Sequence, residues 1–267
     1  MKQTTRRTVL AGATAMLSPP IYLSSAKASV SKKHVVLVHG AWHGAWAWQE
    51  AIPLLTESGL DVSAIDLSGM GTTAHLQALE IGLHAHGQDI LNHLFFFDIQ
   101  DAVVVAHSYG GGALSQALAN DTEERISHGI YLDAFRIGEG EAVADYQSQE
   151  VRDGMLQSLS SGEYIPARPR DTWAEIWGMT GPAADHAEPR LRPMSPNCFL
   201  EKVEGDPFQG ERRLTYMRCM QNGNHVFKEF HEQSSSDTRF DTAEVDGHHN
   251  VMVMNPTRMA EAILEAV

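Results

Sequence analysis

A serine placed between a buried strand and a helix is the residue of this sequence best suited to covalent chemistry. The stretch from Asp101 to Gly112 reads DAVVVAHSYGGG. Its β-branched run is typical of a strand buried on both faces, and its three glycines lead into a helical segment. Ser108 lies on the intervening turn in the pattern G-x-S-x-G, with Ala106 in the place of the first glycine. Because such a strained turn presents its serine hydroxyl outward, Ser108 is the candidate nucleophile.

Two adjacent histidines near the end of the sequence are the candidate bases for this serine. A serine hydroxyl is a weak nucleophile at neutral pH and needs a base to accept its proton. His248 and His249 stand in the stretch DGHHNVM, directly after the last segment with strand character. Both are polar loop histidines, so the residue types alone leave open which of them is the base.

Asp133 is the candidate acid that would orient the base and stabilise its cation. It stands in YLDAF, at the end of the strand predicted after the elbow helix. An aspartate in such apolar surroundings is costly unless it is hydrogen-bonded. Asp246 is the weaker alternative, because it lies too close to the histidines along the chain. The loop CMQNGNH, residues 219–225, follows the next strand and contains no carboxylate.

Backbone donors for a developing oxyanion are expected in two loops. The N–H groups of Ala41, in the HGAW loop, and of Tyr109, directly after the nucleophile, occupy the positions that normally supply them. Gly40 lets the first loop come close. Trp42 and His107 are expected to bind substrate, and aromatic residues near that loop and in the middle of the chain are candidates either for pocket walls or for core: Trp42, Trp46, Tyr164, Trp173 and Trp177.

Strands that alternate with helices must position these groups. Apolar runs predict six strands, over His34–His39, Val62–Leu67, Ala102–Ala106, Ile126–Leu132, Leu214–Met220 and Arg239–Val245. This alternation predicts an α/β fold with a mostly parallel sheet of about six strands and helices on both faces. Residues 136–211 interrupt the alternation and are predicted to form an inserted helical cap. The candidate residues all follow strands, so they should meet at the carboxyl ends of the sheet.

The helix predicted within residues 84–97 carries two further expectations. Its apolar spacing predicts a core face formed by Ile90, Leu91, Leu94 and Phe95. His84 and His86 do not share a helical face and have no thiol or carboxylate nearby in the sequence, so they are expected at the solvated surface rather than at a metal. No metal site is predicted.

The first 28 residues have the pattern of an export signal. Arg6 and Arg7 precede the apolar run Val9–Leu17, and Ala26-Lys27-Ala28 resembles a cleavage site. The arginine pair suits the twin-arginine route, which predicts a periplasmic or secreted protein without stable membrane association after cleavage. This segment holds four of the 20 Lys and Arg and none of the 34 Asp and Glu, which leaves a formal charge of −18 for the remainder. Nucleic acid is therefore an improbable partner.

Cys198 and Cys219 are the only cysteines. An oxidising compartment permits a disulfide between them, whereas the apolar strand around Cys219 suits a buried free thiol equally well. The sequence does not choose between these alternatives, and it does not indicate an oligomeric state.

Five motifs together resemble the α/β-hydrolase superfamily, and within it the branch of plant methylesterases and hydroxynitrile lyases: VHGAWHGAWAW (Val38–Trp48), DLSGMG (Asp66–Gly71), AHSYGG (Ala106–Gly111), YLDAF (Tyr131–Phe135) and HNVMVMNP (His249–Pro256). The resemblance implies a Ser-His-Asp triad, no cofactor and a pocket beneath a helical cap. It favours His249 as the base, because a histidine seven residues before Pro256 is similar to the family's spacing, and it keeps His248 as the reserve. Many relatives carry their acid after the penultimate strand, where this chain has none.

The resemblance also bears on the reaction. Lyase members are similar to one another in a threonine where this chain has Gly40 and a lysine where it has Asn250. We therefore expect an exported, cofactor-independent serine hydrolase that cleaves a small carboxylic ester or lactone through an acyl-serine intermediate. A lyase or a ligand-binding protein with this fold is the alternative. The predicted organisation is a leader over residues 1–28, a core over 29–135, a cap over 136–211 and a second part of the core over 212–267.

Overall fold

A six-stranded parallel sheet forms the centre of the computed structural model, which describes residues 32–267. The strand order is β2-β1-β3-β4-β5-β6, so the chain starts near the middle and builds outward in both directions. The predicted α/β fold is confirmed, and the leader predicted for residues 1–28 lies outside the described residues. The strands are β1 (His34–Val38), β2 (Asp61–Ile65), β3 (Ala102–His107), β4 (Ile126–Leu132), β5 (Arg213–Cys219) and β6 (Phe240–Val245).

Helices cover both faces of the sheet, which is why the central strands are almost wholly apolar. The α-helices of the described residues are α1 (Ala51–Glu57), α2 (Leu83–Phe96), α3 (Gly110–Asn120), α4 (Gln149–Ser161), α5 (Trp173–Ile176), α6 (Gly181–Ala187), α7 (Asn197–Leu200), α8 (His225–Ser235), α9 (Val251–Met254) and α10 (Pro256–Ala266). One core lies between the sheet and α2, α3 and α8, and the other between the sheet and α1, α9 and α10. None of the helices in residues 32–267 combines the length and the apolar character needed to cross a membrane.

Strand register brings two of the candidate residues to the same edge. In the β3–β4 pairing, His107 lies opposite Leu132. The next residue of each strand is Ser108 and Asp133, so both leave the sheet at its carboxyl end on neighbouring strands. Such an edge is where open parallel sheets bind their ligands.

The structure corrects two expectations for α2. Ile90 and Leu94 are fully buried, but Phe95 is 53% exposed, because α3 packs against the other side of the helix. His86 is fully buried rather than solvated. Its Nδ1 lies 2.7 Å from the hydroxyl of Tyr109 and its Nε2 lies 3.0 Å from the carbonyl oxygen of Ser68.

The segment between β4 and β5 contains α4 to α7 and lies over the carboxyl edge of the sheet. Trp173, Trp177 and Met179 form a small core there with two alanines of α6. Besides bonds such as those of Ser195 and Asn197 to the Leu79 carbonyl, this segment contacts the rest of the chain at two seams beside the cavity. At the first, Trp42 accepts a hydrogen bond from the backbone of Arg192 at 3.0 Å and donates its indole N–H to Ile165 at 3.1 Å. At the second, the Trp177 carbonyl accepts the backbone N–H of Asn250 at 3.0 Å.

Candidate active site

Ser108 lies on a tight turn between β3 and α3, in the left-handed backbone region at φ 54°. The turn is crowded on both sides. A Cβ atom at Gly110 would lie 2.6 Å from the carbonyl oxygen of His39, and one at Gly111 would lie 2.6 Å from that of Phe135. Only glycine fits at these two positions, which explains the second glycine of the G-x-S-x-G-like pattern and the glycine that follows it. The single methyl group of Ala106 is accommodated in the fully buried end of β3.

His249 is the histidine that faces the nucleophile. Its Nε2 lies 3.0 Å from Oγ of Ser108, and its imidazole ring stacks on Phe227 at a centroid distance of 5.1 Å. The reserve candidate His248 points elsewhere: its Nδ1 accepts the backbone N–H of His249 at 2.9 Å, and its ring packs against Gly178. The structure therefore places His249, and not His248, within hydrogen-bonding distance of Ser108.

Asp133 lies behind this histidine. Its Oδ2 is 2.7 Å from Nδ1 of His249, and the residue is fully buried with φ 44°. The backbone N–H of Cys219 donates to Oδ1 at 3.2 Å. The alternative acid, Asp246, is exposed and bonds the side chain of Gln221 at 2.9 Å, away from the histidine.

Asn222 is a site residue that the sequence analysis missed. Its side-chain amide donates to Oδ2 of Asp133 at 2.5 Å, and the same nitrogen lies 3.2 Å from Nδ1 of His249. Three donors thus converge on the Asp133 carboxylate, which offsets the cost of burying it. The absence of a carboxylate in residues 219–225 is visible in the sequence, but a contact between this loop and Asp133 requires knowledge that β4 and β5 are neighbours.

The two backbone N–H groups expected to stabilise an oxyanion belong to residues that line the same cavity as Ser108, namely Ala41 and Tyr109. No acceptor for either N–H is found among residues 32–267. The Ala41 loop passes close to the nucleophile: a Cβ atom at Gly40 would lie 2.9 Å from Cβ of Ser108. A side chain at position 40 would therefore push the loop away from the serine.

Burial keeps several neighbouring histidines neutral. It lowers the pKa of His39 and of His43 to about 4, and it lowers the pKa of His107 well below its ordinary value. These rings act as neutral donors and acceptors near neutral pH.

A cavity of about 550 Å³ opens above Ser108 and lies beneath the segment that contains α4 to α7. Its walls are mainly apolar and aromatic, including Trp42 and Trp177, and the exposed side chains of Arg168 and Glu175 lie at it as well. Of the five aromatic residues considered as pocket walls, these two tryptophans line the cavity. Trp46, Tyr164 and Trp173 do not, and Trp173 is part of the small core beside the cavity.

The expectation that His107 binds substrate is wrong. The residue is buried behind the site and does not line the cavity. Its Nε2 donates to the backbone carbonyl of His249 at 2.9 Å, and the two rings lie 4.5 Å apart. Successive residues of a strand point to opposite faces, so the side chain before Ser108 is directed away from the pocket.

Two further features of the site are settled by the described residues. Cys198 and Cys219 are both buried and both free. Residues 32–267 contain no group of His, Cys, Asp and Glu side chains arranged to hold a metal ion.

Comparisons with known proteins identify the family and the fold. A model of the alpha/beta hydrolase family matches residues 35–262. The chain is 36% identical over 100 residues to the carbendazim hydrolyzing esterase of Nocardioides sp., which is 38% of this chain and 41% of that protein. It is 39% identical over 107 residues to methylesterase 2 of Arabidopsis thaliana, which is 39% of this chain and 40% of that one. The chain thus spans about two fifths of these curated relatives, and the predicted resemblance to plant methylesterases is confirmed.

Solved structures share the fold over most of the chain. An extracellular alpha/beta-hydrolase from a Paenibacillus species, described as similar to tobacco salicylic acid binding protein 2, superposes with a TM-score of 0.74 at 21% identity, covering 88% of this chain and 98% of that one. The methylesterase MES16 of Arabidopsis superposes with a TM-score of 0.68 at 19% identity, covering 88% and 98%. With a family model matched from the first strand to the last helix, this chain belongs to the alpha/beta hydrolase family.

Proposed function

We propose that this chain is a serine hydrolase that cleaves a small carboxylic ester or lactone through an acyl-serine intermediate. The observation that carries the proposal is the chain of hydrogen bonds from Asp133 through His249 to Ser108 Oγ, because Ser108 lines an apolar cavity. Its two distances, 3.0 and 2.7 Å, are those of a nucleophile with its base and of a base with its orienting acid.

The mechanism follows from the positions of these groups. His249 accepts the hydroxyl proton of Ser108 as the oxygen attacks the acyl carbon, and the N–H groups of Ala41 and Tyr109 stabilise the oxyanion that forms. The tetrahedral intermediate collapses when His249 donates the proton to the leaving alcohol. A water molecule, activated by His249 in the same way, then attacks the acyl-serine and releases the acid. Asp133 holds the imidazole in the tautomer with a proton on Nδ1 and stabilises the imidazolium.

The relatives support ester hydrolysis as the reaction. One is described as a carbendazim hydrolyzing esterase and several as methylesterases. The apolar cavity suits a small uncharged ester, and the acidic charge balance disfavours anionic substrates. We also propose export by the twin-arginine route, on the basis of Arg6, Arg7 and the apolar run that follows them.

A lyase is the less favoured alternative. The threonine and lysine of the lyase members are replaced by Gly40 and Asn250. The Asn250 side chain does not line the cavity, so it cannot take the place of a cation that receives cyanide. A binding protein is disfavoured because binding alone gives no reason for a serine, a histidine and a carboxylate to be aligned.

Hydrolysis of p-nitrophenyl acetate and butyrate by the wild-type protein and by Ser108→Ala tests the proposal. We expect a burst of nitrophenol from the wild type, a trapped acyl-serine in the mass spectrum, and a loss of activity of at least about 10³-fold in the variant. Equal activity of the two proteins, or no burst and no turnover in the wild type, would refute the hydrolase. Release of hydrogen cyanide from mandelonitrile would then point to the lyase. Amino-terminal sequencing of the protein exported by a bacterial host tests cleavage after Ala28.

A further inference from the structure

Asn250 follows the base directly and has no part in the mechanism described above. It is fully buried and its side chain does not line the cavity. Its amide nitrogen lies 3.0 Å from Nε2 of His43 and 3.8 Å from the sulfur of Met179, whereas Oδ1 has no partner among residues 32–267. A buried amide oxygen without a partner is unfavourable, so the orientation of the Asn250 side chain, with its nitrogen toward His43, calls for an explanation.

The chemistry of His43 fixes the direction of this hydrogen bond. Its Nδ1 lies 2.7 Å from the carbonyl oxygen of Ala41, which can only accept, so Nδ1 carries the proton. The ring is neutral near pH 7, because burial lowers its pKa to about 4. Nε2 is then an acceptor and requires a donor. Rotating the Asn250 amide would place its oxygen against this lone pair, so the observed orientation is kept although Oδ1 remains unpaired.

His43 contacts the peptide groups on both sides of the Ala41 Cα atom, and the first of them carries the oxyanion donor. Its backbone N–H donates to the Gly40 carbonyl at 3.3 Å, and its ring donates to the Ala41 carbonyl. The Gly40 carbonyl and the Ala41 N–H belong to one planar trans peptide and point in opposite directions. The Gly40 oxygen is held by the His43 N–H together with the His39 ring, whose Nδ1 lies 2.8 Å from it, and the Ala41 N–H therefore turns the other way. The ring itself is fixed by stacking on Trp46 at 5.2 Å and by edge contact with Trp177 at 5.3 Å.

The backbone of Asn250 connects this arrangement to the base. Its N–H donates to the carbonyl of Trp177 at 3.0 Å, and the preceding peptide bond joins it to His249. One residue thus contacts the loop of the base, the loop of the oxyanion donor through His43, and the segment above the cavity.

We propose that Asn250 and His43 act together as positioning residues that fix the orientation of the Ala41 N–H, the oxyanion donor, relative to His249. The inference rests on the proposed acyl-serine reaction and adds two residues to its machinery. Both residues serve the transition state rather than substrate binding, because neither lines the cavity and the oxyanion forms only after attack.

A double-mutant cycle tests the coupling. The variants are Asn250→Leu, which keeps the volume and removes the donor, His43→Phe, which keeps the ring contacts and removes both hydrogen bonds, and the two combined. We expect each single variant to lower kcat by about 10- to 100-fold with KM changed less than about twofold, because a misplaced oxyanion donor weakens transition-state binding. The inhibition constant of phenylboronic acid, whose tetrahedral adduct with Ser108 mimics the oxyanion, should rise in parallel. The double variant should be no more than about twofold worse than the worse single variant.

His128→Phe is the matched control. His128 is a buried histidine of β4, away from the carboxyl edge of the sheet, and its Nε2 lies 2.8 Å from the hydroxyl of Thr215 in β5. Its replacement should lower the thermal midpoint and leave kcat and boronate inhibition unchanged.

Two results would overturn the inference: losses that multiply in the double variant, or losses that appear in KM and not in kcat and boronate inhibition. Should Asn250→Leu fail to fold, His43→Phe alone must reproduce the paired loss of kcat and boronate affinity, and unchanged values would refute the inference. Full activity of Ser108→Ala would instead refute the proposed reaction. If Ser108→Ala is inactive and the losses of kcat in the two single variants multiply in the double variant, only this inference is refuted.

Discussion

The amide nitrogen of Asn222 lies 2.5 Å from Oδ2 of Asp133, the carboxylate oxygen that also faces His249. The carboxylate comes from the end of β4, and the amide comes from the loop after β5, where many relatives carry their acid. Both side chains reach the same nitrogen of the base, since Nδ2 of Asn222 is 3.2 Å from Nδ1 of His249. The site thus holds two positions from which a carboxylate could face Nδ1 of His249, and the carboxylate of this chain lies at the β4 position.

Exchanging these two side chains should transfer the acid. Asp133→Asn should lower kcat by about 10²- to 10⁴-fold, because the amide cannot stabilise an imidazolium. Adding Asn222→Asp should recover at least about tenfold of that loss, because the carboxylate is restored within reach of Nδ1. The kcat values of the single and double variants with p-nitrophenyl butyrate measure the effect. Asp246→Asn, an exposed carboxylate near the base in sequence, should keep wild-type activity; a double variant as slow as Asp133→Asn would contradict the transfer.

Gly178 should be essential for placing the base. Gly178 and Gly181 both have positive φ, 66° and 55°, so alanine at either position should lower the free energy of unfolding by about 1–2 kcal/mol. They differ in their surroundings: a Cβ atom at Gly178 would lie 2.2 Å from Cβ of His248, whereas one at Gly181 would have nothing within 4 Å. Gly178→Ala must displace the His248–His249 loop and should lower kcat by about tenfold or more. Gly181→Ala is the matched control, and equal kcat values in the two variants would contradict the prediction.

Stability should decrease in acid in part because of His128. Burial, followed by the charges of Arg213 and Lys33, lowers its pKa from 6.5 to about 4. Between these values the unfolded chain binds a proton that the folded chain does not, so the free energy of unfolding falls as the pH is lowered from 6.5 to 4. One such proton corresponds to about 1.4 kcal/mol per pH unit. Urea unfolding across this range should give a smaller pH slope for His128→Asn than for the wild type, and an unchanged slope would argue against a buried neutral histidine.

Both thiols should be protected and unpaired. Burial raises the pKa of Cys198 to about 12 and that of Cys219 well above its ordinary value, so neither forms a thiolate readily. A thiol reagent should therefore label two cysteines per chain after unfolding in urea without reductant, and should label the native protein very slowly. Reductant should leave the thermal midpoint unchanged. Fewer than two reactive thiols in the unfolded chain would indicate a disulfide.

Local sequence patterns were sufficient to predict the framework. The six strands were predicted to within about two residues, because β-branched runs between glycine turns are signals that tertiary contacts do not override. The last helix begins at Pro256 for an equally local reason, since the Asn255 side chain accepts the backbone N–H of Arg258 at 3.1 Å. The position of Ser108 on its turn follows from the same local signals.

The residues whose surroundings the sequence does not predict are those whose burial and partners depend on which elements pack together. Phe95 fits the helical period of the core face, but α3 covers the other side of α2. His86 has no polar partner nearby in the sequence and bonds Tyr109, 23 residues away. Asn222 and His107 likewise acquire their contacts with Asp133 and His249 only when the strands β3 to β6 form one sheet. Composition and periodicity carry no information on such pairings.

The two seams of the segment over the cavity, at Trp42 and at Trp177, restrict how the enzyme can be re-engineered. Helices α4 to α7 shape the walls of the cavity without supplying a reacting group, although several of their residues are buried in the main core. A graft of this segment from another member of the fold would need a carbonyl for the Asn250 N–H, a donor for the Trp42 carbonyl and an acceptor for the Trp42 indole. Substrate range can therefore be exchanged as a module, provided that these two attachment points travel with it.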